Sequence, residues 1–147
     1  MVAPVIASTG LKAAMLNAGG FKETMDGAEF RLYAGIAPAH ANDSIGAATL
    51  LCTIKNGASG VTFDETTTPG TLVKPAGETW SGTNVASGTV TFYRLVLSAD
   101  TGAASTSAPR VQGTVGVIDA NLNLSSVSLV SGAPQSLTSY VVSLLGG

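Results

Sequence analysis

Residues able to carry chemistry are few in this 147-residue chain, and their spacing gathers them into no familiar reaction centre. His40 is the only histidine, in the loop-like run Pro38-Ala39-His40-Ala41-Asn42-Asp43. Asp43 is near enough in sequence to pair with it as an acid–base couple, but a solvated loop histidine fits the same residues. With one histidine and one cysteine, a zinc site of nitrogen and sulfur ligands cannot be assembled within a single chain. Cys52 lies in the apolar run Ala48-Thr49-Leu50-Leu51-Cys52-Thr53-Ile54, with only Lys55 nearby to stabilise a thiolate. It reads as a small buried hydrophobe. Asp64, Glu65 and Glu78 could supply a glycosidase-like carboxylate pair, yet nothing in their spacing brings two of them together. Asn42-Asp43-Ser44 and Asp119-Ala120-Asn121 carry oxygen ligands without the density of a calcium loop, and turn chemistry accounts for both. No nucleophile elbow, phosphate-binding loop or dinucleotide fingerprint is present. The expectation is a protein that is not an enzyme, with no catalytic residues, no metal site and no cofactor.

Composition points to contact rather than catalysis. Charged residues make up 11% of the chain and the formal net charge is -2. With seven Lys plus Arg there is no basic stripe to neutralise phosphates, so nucleic-acid binding is not expected. Polarity comes instead from Ser, Thr, Asn and Gly, neutral groups that can be covered by another protein without desolvating an ion. No run of about 20 apolar residues is present, so no membrane-spanning helix is expected. Met1-Val2-Ala3-Pro4-Val5-Ile6 has neither the basic nor the long apolar region of a signal peptide. A single cysteine allows no intrachain disulfide.

The elements divide the chain into an N-terminal arm with a short helix, residues 1–27, and a β-sandwich domain, residues 28–147. Pro4 keeps the first six residues extended. Ser8 or Thr9 then caps a helix with Leu11, Met15 and Leu16 on one face, and Gly19-Gly20 stops it. About two turns is marginal alone, so the helix must dock, either on its own sheet or on a neighbouring subunit. From Ala28 onward the chain reads as seven to nine short strands. Ala28–Ala34 has one apolar face. Thr49–Lys55 is closed by the turn dipeptide Asn56-Gly57. Val61–Asp64 and Thr71–Lys74 flank the turn Thr68-Pro69-Gly70. Gly88–Leu97 is one central strand, and Ser98–Ala108 is a flexible loop. Arg110–Val117, Leu122–Leu124, Val127–Val130 and Leu137–Leu145 complete the set. Strands at this spacing, with no helix between them, imply an all-β sandwich or barrel.

Two residues are conspicuous within that frame. Trp80 precedes the central strand in a loop-like run, either as a buried corner plug or as an exposed anchor at an interface. Arg94 falls inside an apolar strand, where its guanidinium needs water, a neighbouring subunit or a carboxylate such as Glu29 or Glu78. The arm residues Val2, Pro4, Val5 and Ile6 are apolar yet too short to be stable alone, and with Trp80 they form the candidate interface.

The segment from Trp80 to Leu145 resembles small virion proteins of tailed bacteriophages. The residues that carry the likeness are Ser87-Gly88-Thr89-Val90-Thr91-Phe92-Tyr93-Arg94, then Val111-Gln112-Gly113-Thr114-Val115-Gly116, then Leu122-Asn123-Leu124 with Ser131-Gly132. With Phe30-Arg31-Leu32-Tyr33-Ala34-Gly35 upstream, the likeness spans about three quarters of the chain. It is similar in particular to capsid cement (decoration) proteins, including those of podophages. The resemblance implies a jelly-roll-like sandwich, self-association as a dimer or trimer, and binding to the major capsid protein over capsomers. It also implies a place on the capsid exterior of a virion, after synthesis in the host cytoplasm. A phage tail, connector or fibre component fits the same grammar. A carbohydrate-binding sandwich using Trp80, Tyr33 or Tyr140 as a sugar platform is the reading from another class.

Overall fold

β-Branched and aromatic runs punctuated by Gly, Pro and Asn set the strands, and the fold that results is mostly β, with two short helices near the start. The computed structural model describes residues 4–143. Its elements in chain order are β1 (Ile6–Ala7), α1 (Thr9–Asn17), α2 (Phe21–Met25), β2 (Glu29–Ala34), β3 (Thr49–Asn56), β4 (Thr71–Val73), β5 (Trp80–Thr83), β6 (Gly88–Thr89), β7 (Phe92–Val96), β8 (Arg110–Gly116), β9 (Leu122–Asn123), β10 (Ser128–Leu129), β11 (Pro134–Leu137) and β12 (Val141–Ser143). The main sheet runs β1-β8-β7-β2-β3-β5-β11, with β9 beside β8. Among the described residues only the β8–β9 pair is parallel. Two small antiparallel pairs, β6–β10 and β4–β12, complete an all-β, sandwich-like fold.

Register assigns the side chains to faces. Phe30, Leu95 and Val111 stand in one row across β2, β7 and β8, and Leu32 and Tyr93 in the next. This inner face is covered by α1, α2 and the two small pairs through Leu11, Met25, Leu72, Val90, Leu129 and Tyr140. Phe30 is its centre. Its ring lies 5.4 Å from that of Trp80, 5.9 Å from Tyr93 and 4.8 Å, edge on, from Tyr140. The hydroxyls of Tyr93 and Tyr140 meet at 2.7 Å, so two buried phenols satisfy each other. Gly113 lies opposite Tyr93 because a Cβ there would stand 2.7 Å from the tyrosine ring.

Several elements differ from the sequence reading. The expected central strand Gly88–Leu97 is two strands in two layers. Val90 N–H donates to Val127 O and the next N–H, of Thr91, donates to Tyr33 O, so the chain changes sheet between them. The expected last strand is interrupted at 138–140, where Leu137 and Tyr140 are both buried; Leu144 and Leu145 lie outside the described residues. Val61–Asp64 contributes only single bridges, to Ala28 and Val73. Trp80 opens a strand rather than sitting in a loop. The short helix α2 was not legible, since five residues carry too little periodicity.

The N-terminal segment docks on its own sheet. Ser8 is the N-cap of α1, accepting from Leu11 N–H, and its hydroxyl also donates to Ala108 O at 2.7 Å. Leu11 is buried, but Leu16 is 86% exposed, against expectation. Five positions on from Leu11, it points about 140° round the helix. Gly10 lets α1 approach the backbone of Ser107, whose oxygen would lie 2.3 Å from a Cβ.

Candidate protein-binding surface

What shapes the outside of the sheet is a row of arginines. The residues that alternate with the core positions are Arg31, Tyr33, Phe92, Arg94, Arg110 and Gln112, on the outer face of β2, β7 and β8. Five of these are 1 or 2% exposed, because the segments 35–48 and 97–109 lie across them. The Tyr33 and Phe92 rings stack at 5.0 Å and 13°. Each guanidinium holds backbone. Arg31 donates to Asp100 O and Ser98 O, and pairs with Glu29 at 2.7 Å. Arg110 pairs with Asp100 at 2.6 Å and donates to Ala41 O and Ala103 O. Arg94 donates to Gln112 Oε1, His40 O and Asp43 O. Gln112 in turn donates to Pro38 O. The Ser98–Ala108 segment, expected as a flexible loop, is thus tied at both ends.

Arg94 meets neither expected carboxylate. Glu29 is taken by Arg31, and Glu78 stands before β5, on the far side of β2 and β3, where Thr62 and Trp80 hold it. Arg94 Nη1 has no hydrogen-bond partner among the described residues. Burial, then the neighbouring Arg110 charge, lowers the Arg94 pKa. For Asp100, burial acts to raise the pKa. The Arg110 hydrogen bond, the Gly102 N–H and the Arg110 and Arg31 charges outweigh it, and the carboxyl sits below its ordinary value. A carboxylate lowered on folding stabilises the fold fully above its unfolded pKa of about 3.9, and the stabilisation is lost as pH falls through the lower folded value. Asp100→Asn is therefore expected to lower stability at neutral pH while flattening the acid limb below about pH 4. Urea melts at a series of pH values check this, and parallel curves for variant and parent would refute it.

Of the candidate chemical groups, the Asp43, Asp64 and Glu78 carboxylates accept hydrogen bonds from neighbouring backbone or side chains. His40 is exposed; the Asp43 carboxylate accepts from the His40 backbone N–H at 3.0 Å. Asp64 is held far below the usual carboxylate range by Thr67 and Thr66. Glu78 accepts from Thr62 and Trp80. Among the described residues no three His, Cys, Asp or Glu side chains are grouped to hold a metal ion, and no helix is long and apolar enough to cross a membrane. Cys52 is buried, and desolvation pushes its thiol up to about 11. At pH 8 the native protein is expected to react with a thiol reagent only as fast as it unfolds. Immediate stoichiometric labelling would show that the β2–β3 pair opens.

Of the five residues read as an interface, Val2 lies outside the described residues. Pro4 and Val5 are exposed, Val5 at 49%. Ile6 is half-buried, opposite Gln112 in the β1–β8 pair, so it belongs to its own sheet edge. Trp80 is 1% exposed between Phe30 and Phe63 and takes the buried of its two readings. It offers a partner no surface. Tyr33 and Tyr140 are buried too, which removes the sugar platform built from these three rings. The surface instead presents large aliphatic side chains that single residues in the sequence did not reveal. Ile36 is 92% exposed and Ile118 73%, and Leu16, Val85, Val117, Val130 and Val141 are also exposed. Neither a protein-family model nor a curated protein nor a solved structure matches the chain.

Proposed function

We propose that the protein is a non-enzymatic structural protein that works by adhering to other protein surfaces, and specifically a capsid cement protein bound over the major capsid protein of a tailed phage. One observation carries this reading. The protein has a packed core of its own, yet among the described residues its charge-poor surface leaves eight large aliphatic side chains exposed, counting Val5. Scattered apolar residues are normal on a surface, but this many with so few charges favours a surface that another protein covers. The β-edge arm and the pinned outer loops suit that task, since a rigid surface loses little entropy on binding.

The test is a cryo-EM map of the native particle combined with a binding assay on shells lacking the protein. Density on the head exterior, and shells that resist heat better once it is bound, are the expected results. Density on the tail would favour the connector or fibre reading, and absence from the particle would overturn both.

A further inference from the structure

A cavity of about 390 Å³ forms a trough between the two helices and the β4–β12 pair. Met15 of α1, Phe21 of α2, Leu72 of β4 and Val142 of β12 line it, and all four are half-buried at the margin of the core. Phe21 is fixed there by an edge-on contact with Phe63 at 5.5 Å. Gly20, the N-cap of α2, and Gly70, at φ 85° in the turn before β4, complete the lining on two sides. Neither carries a side chain to cover the trough, and a Cβ on either would meet nothing within 4 Å. Leu16, 86% exposed, follows Met15, and Val141, 60% exposed, precedes Val142. Apolar surface therefore continues past the trough on both flanking elements.

Of the described residues that line the trough, only Glu65 is charged. Its neighbourhood is acidic as well. The Asp26 hydrogen bond, and then the charges of Asp26, Glu65 and Asp64, raise the Lys22 pKa against its partial burial. Three carboxylates thus lie near one ammonium on this side of the trough. Asp26 is taken by Lys22 and the Phe63 N–H, and Asp64 by Thr66 and Thr67. Glu65 is exposed and makes no hydrogen bond or ion pair among the described residues. It stands beside an apolar floor with no counter-charge of its own.

We infer that the trough takes a segment of a partner protein that carries a large aliphatic side chain next to a lysine or arginine. The inference rests on the proposed adhesive role and names the chemistry that one part of the surface recognises. Charge complementarity selects the occupant. A wholly apolar or acidic segment laid over the trough would strip water from Glu65 and offer it no counter-ion, whereas a basic residue beside the apolar one supplies it. Lys and Arg also suit the margin, since their stems pack on apolar side chains while the charged head stays at the carboxylate. The volume lies at the lower end of the roughly 300–1,000 Å³ of ligand pockets, room for one or two side chains. Leu16 and Val141 decide for a segment over a small ligand, because only something longer than the trough covers them too. The apolar floor supplies most of the binding strength, and the acidic rim supplies the choice of partner.

Amide NMR shifts of the full chain, titrated with acetyl-Gly-Leu-Lys-Leu-Gly-amide and with its Glu counterpart, test this. The lysine peptide is expected to move the amides of Phe21, Leu72 and Val142. It is expected to bind at least ~10-fold more tightly than the glutamate peptide, a preference that high salt narrows. Glu65→Lys, at an exposed site, is expected to reverse the preference with unchanged circular dichroism. No shift at millimolar peptide, or equal binding of the two peptides, would overturn the inference. So would a trough that accepts peptide only after Leu144→Ser and Leu145→Ser, which would make residues 144 and 145 of the same chain the occupant. Shifts of the same amides on raising the protein concentration alone would make it a second copy, and would overturn the inference too. A chain that binds neither peptide yet loads normally onto shells would leave the adhesive role standing without this site. A chain that binds the lysine peptide but no shell would remove that role and keep the site.

Discussion

Replacing Arg110 by methionine is expected to cost about 3–5 kcal/mol of folding stability, the penalty for breaking a buried ion pair on one side. The guanidinium is 1% exposed, and Asp100 faces it with both oxygens, at 2.6 and 2.9 Å. Without Arg110 the carboxylate loses its main counter-charge, and the carbonyls of Ala41 and Ala103 lose their donor. Methionine restores the stem's packing but none of these bonds. For a chain of this length the loss corresponds to a fall in Tm of roughly 10 °C. The damage should be local first: amides of 97–109 and 39–43 should exchange faster, while β2 and β3 keep most of their protection. A Tm within two degrees of the parent would mean that the pair is open to water and that the two segments are held otherwise.

Phe30→Ala is expected to cost about 3–5 kcal/mol and to unfold the chain cooperatively rather than locally. The ring is fully buried on the strand that joins β7 to β3, and it touches Trp80, Tyr93 and Tyr140 from three sides. Truncation removes the ring's transfer energy and leaves a cavity whose aromatic walls cannot all close in. Phe30→Leu keeps most of the volume and should cost less than about 1.5 kcal/mol. Denaturant unfolding of the two variants measures the difference, and equal losses would show that ring contacts, rather than volume, carry the energy at this position.

The sequence determined what local physics decides. Ser8 before an apolar helical stretch and Gly19-Gly20 after it place α1, because capping and termination need only neighbouring residues. Asn56-Gly57, with Gly57 at φ 60°, and Thr68-Pro69-Gly70, with Gly70 at φ 85°, turn where their dipeptides say they should. Alternation in Glu29–Tyr33 and the apolar run around Cys52 mark strands, because which side chains can face a core is written in local periodicity. Tertiary structure decided everything that depends on what lies across the sheet. Arg94 reads as an anomaly in an apolar strand until segment 35–48 supplies its carbonyls. Trp80 could be plug or anchor until Phe30 and Phe63 enclose it. Ile36, Val85, Val117 and Val130 are scattered over ninety-five residues and look like ordinary loop residues. Only strand order and register decide which of them lie level, as Ile36 and Val117 do just beyond β2 and β8, because pairing in a sheet is a long-range choice made by the whole hydrophobic pattern at once.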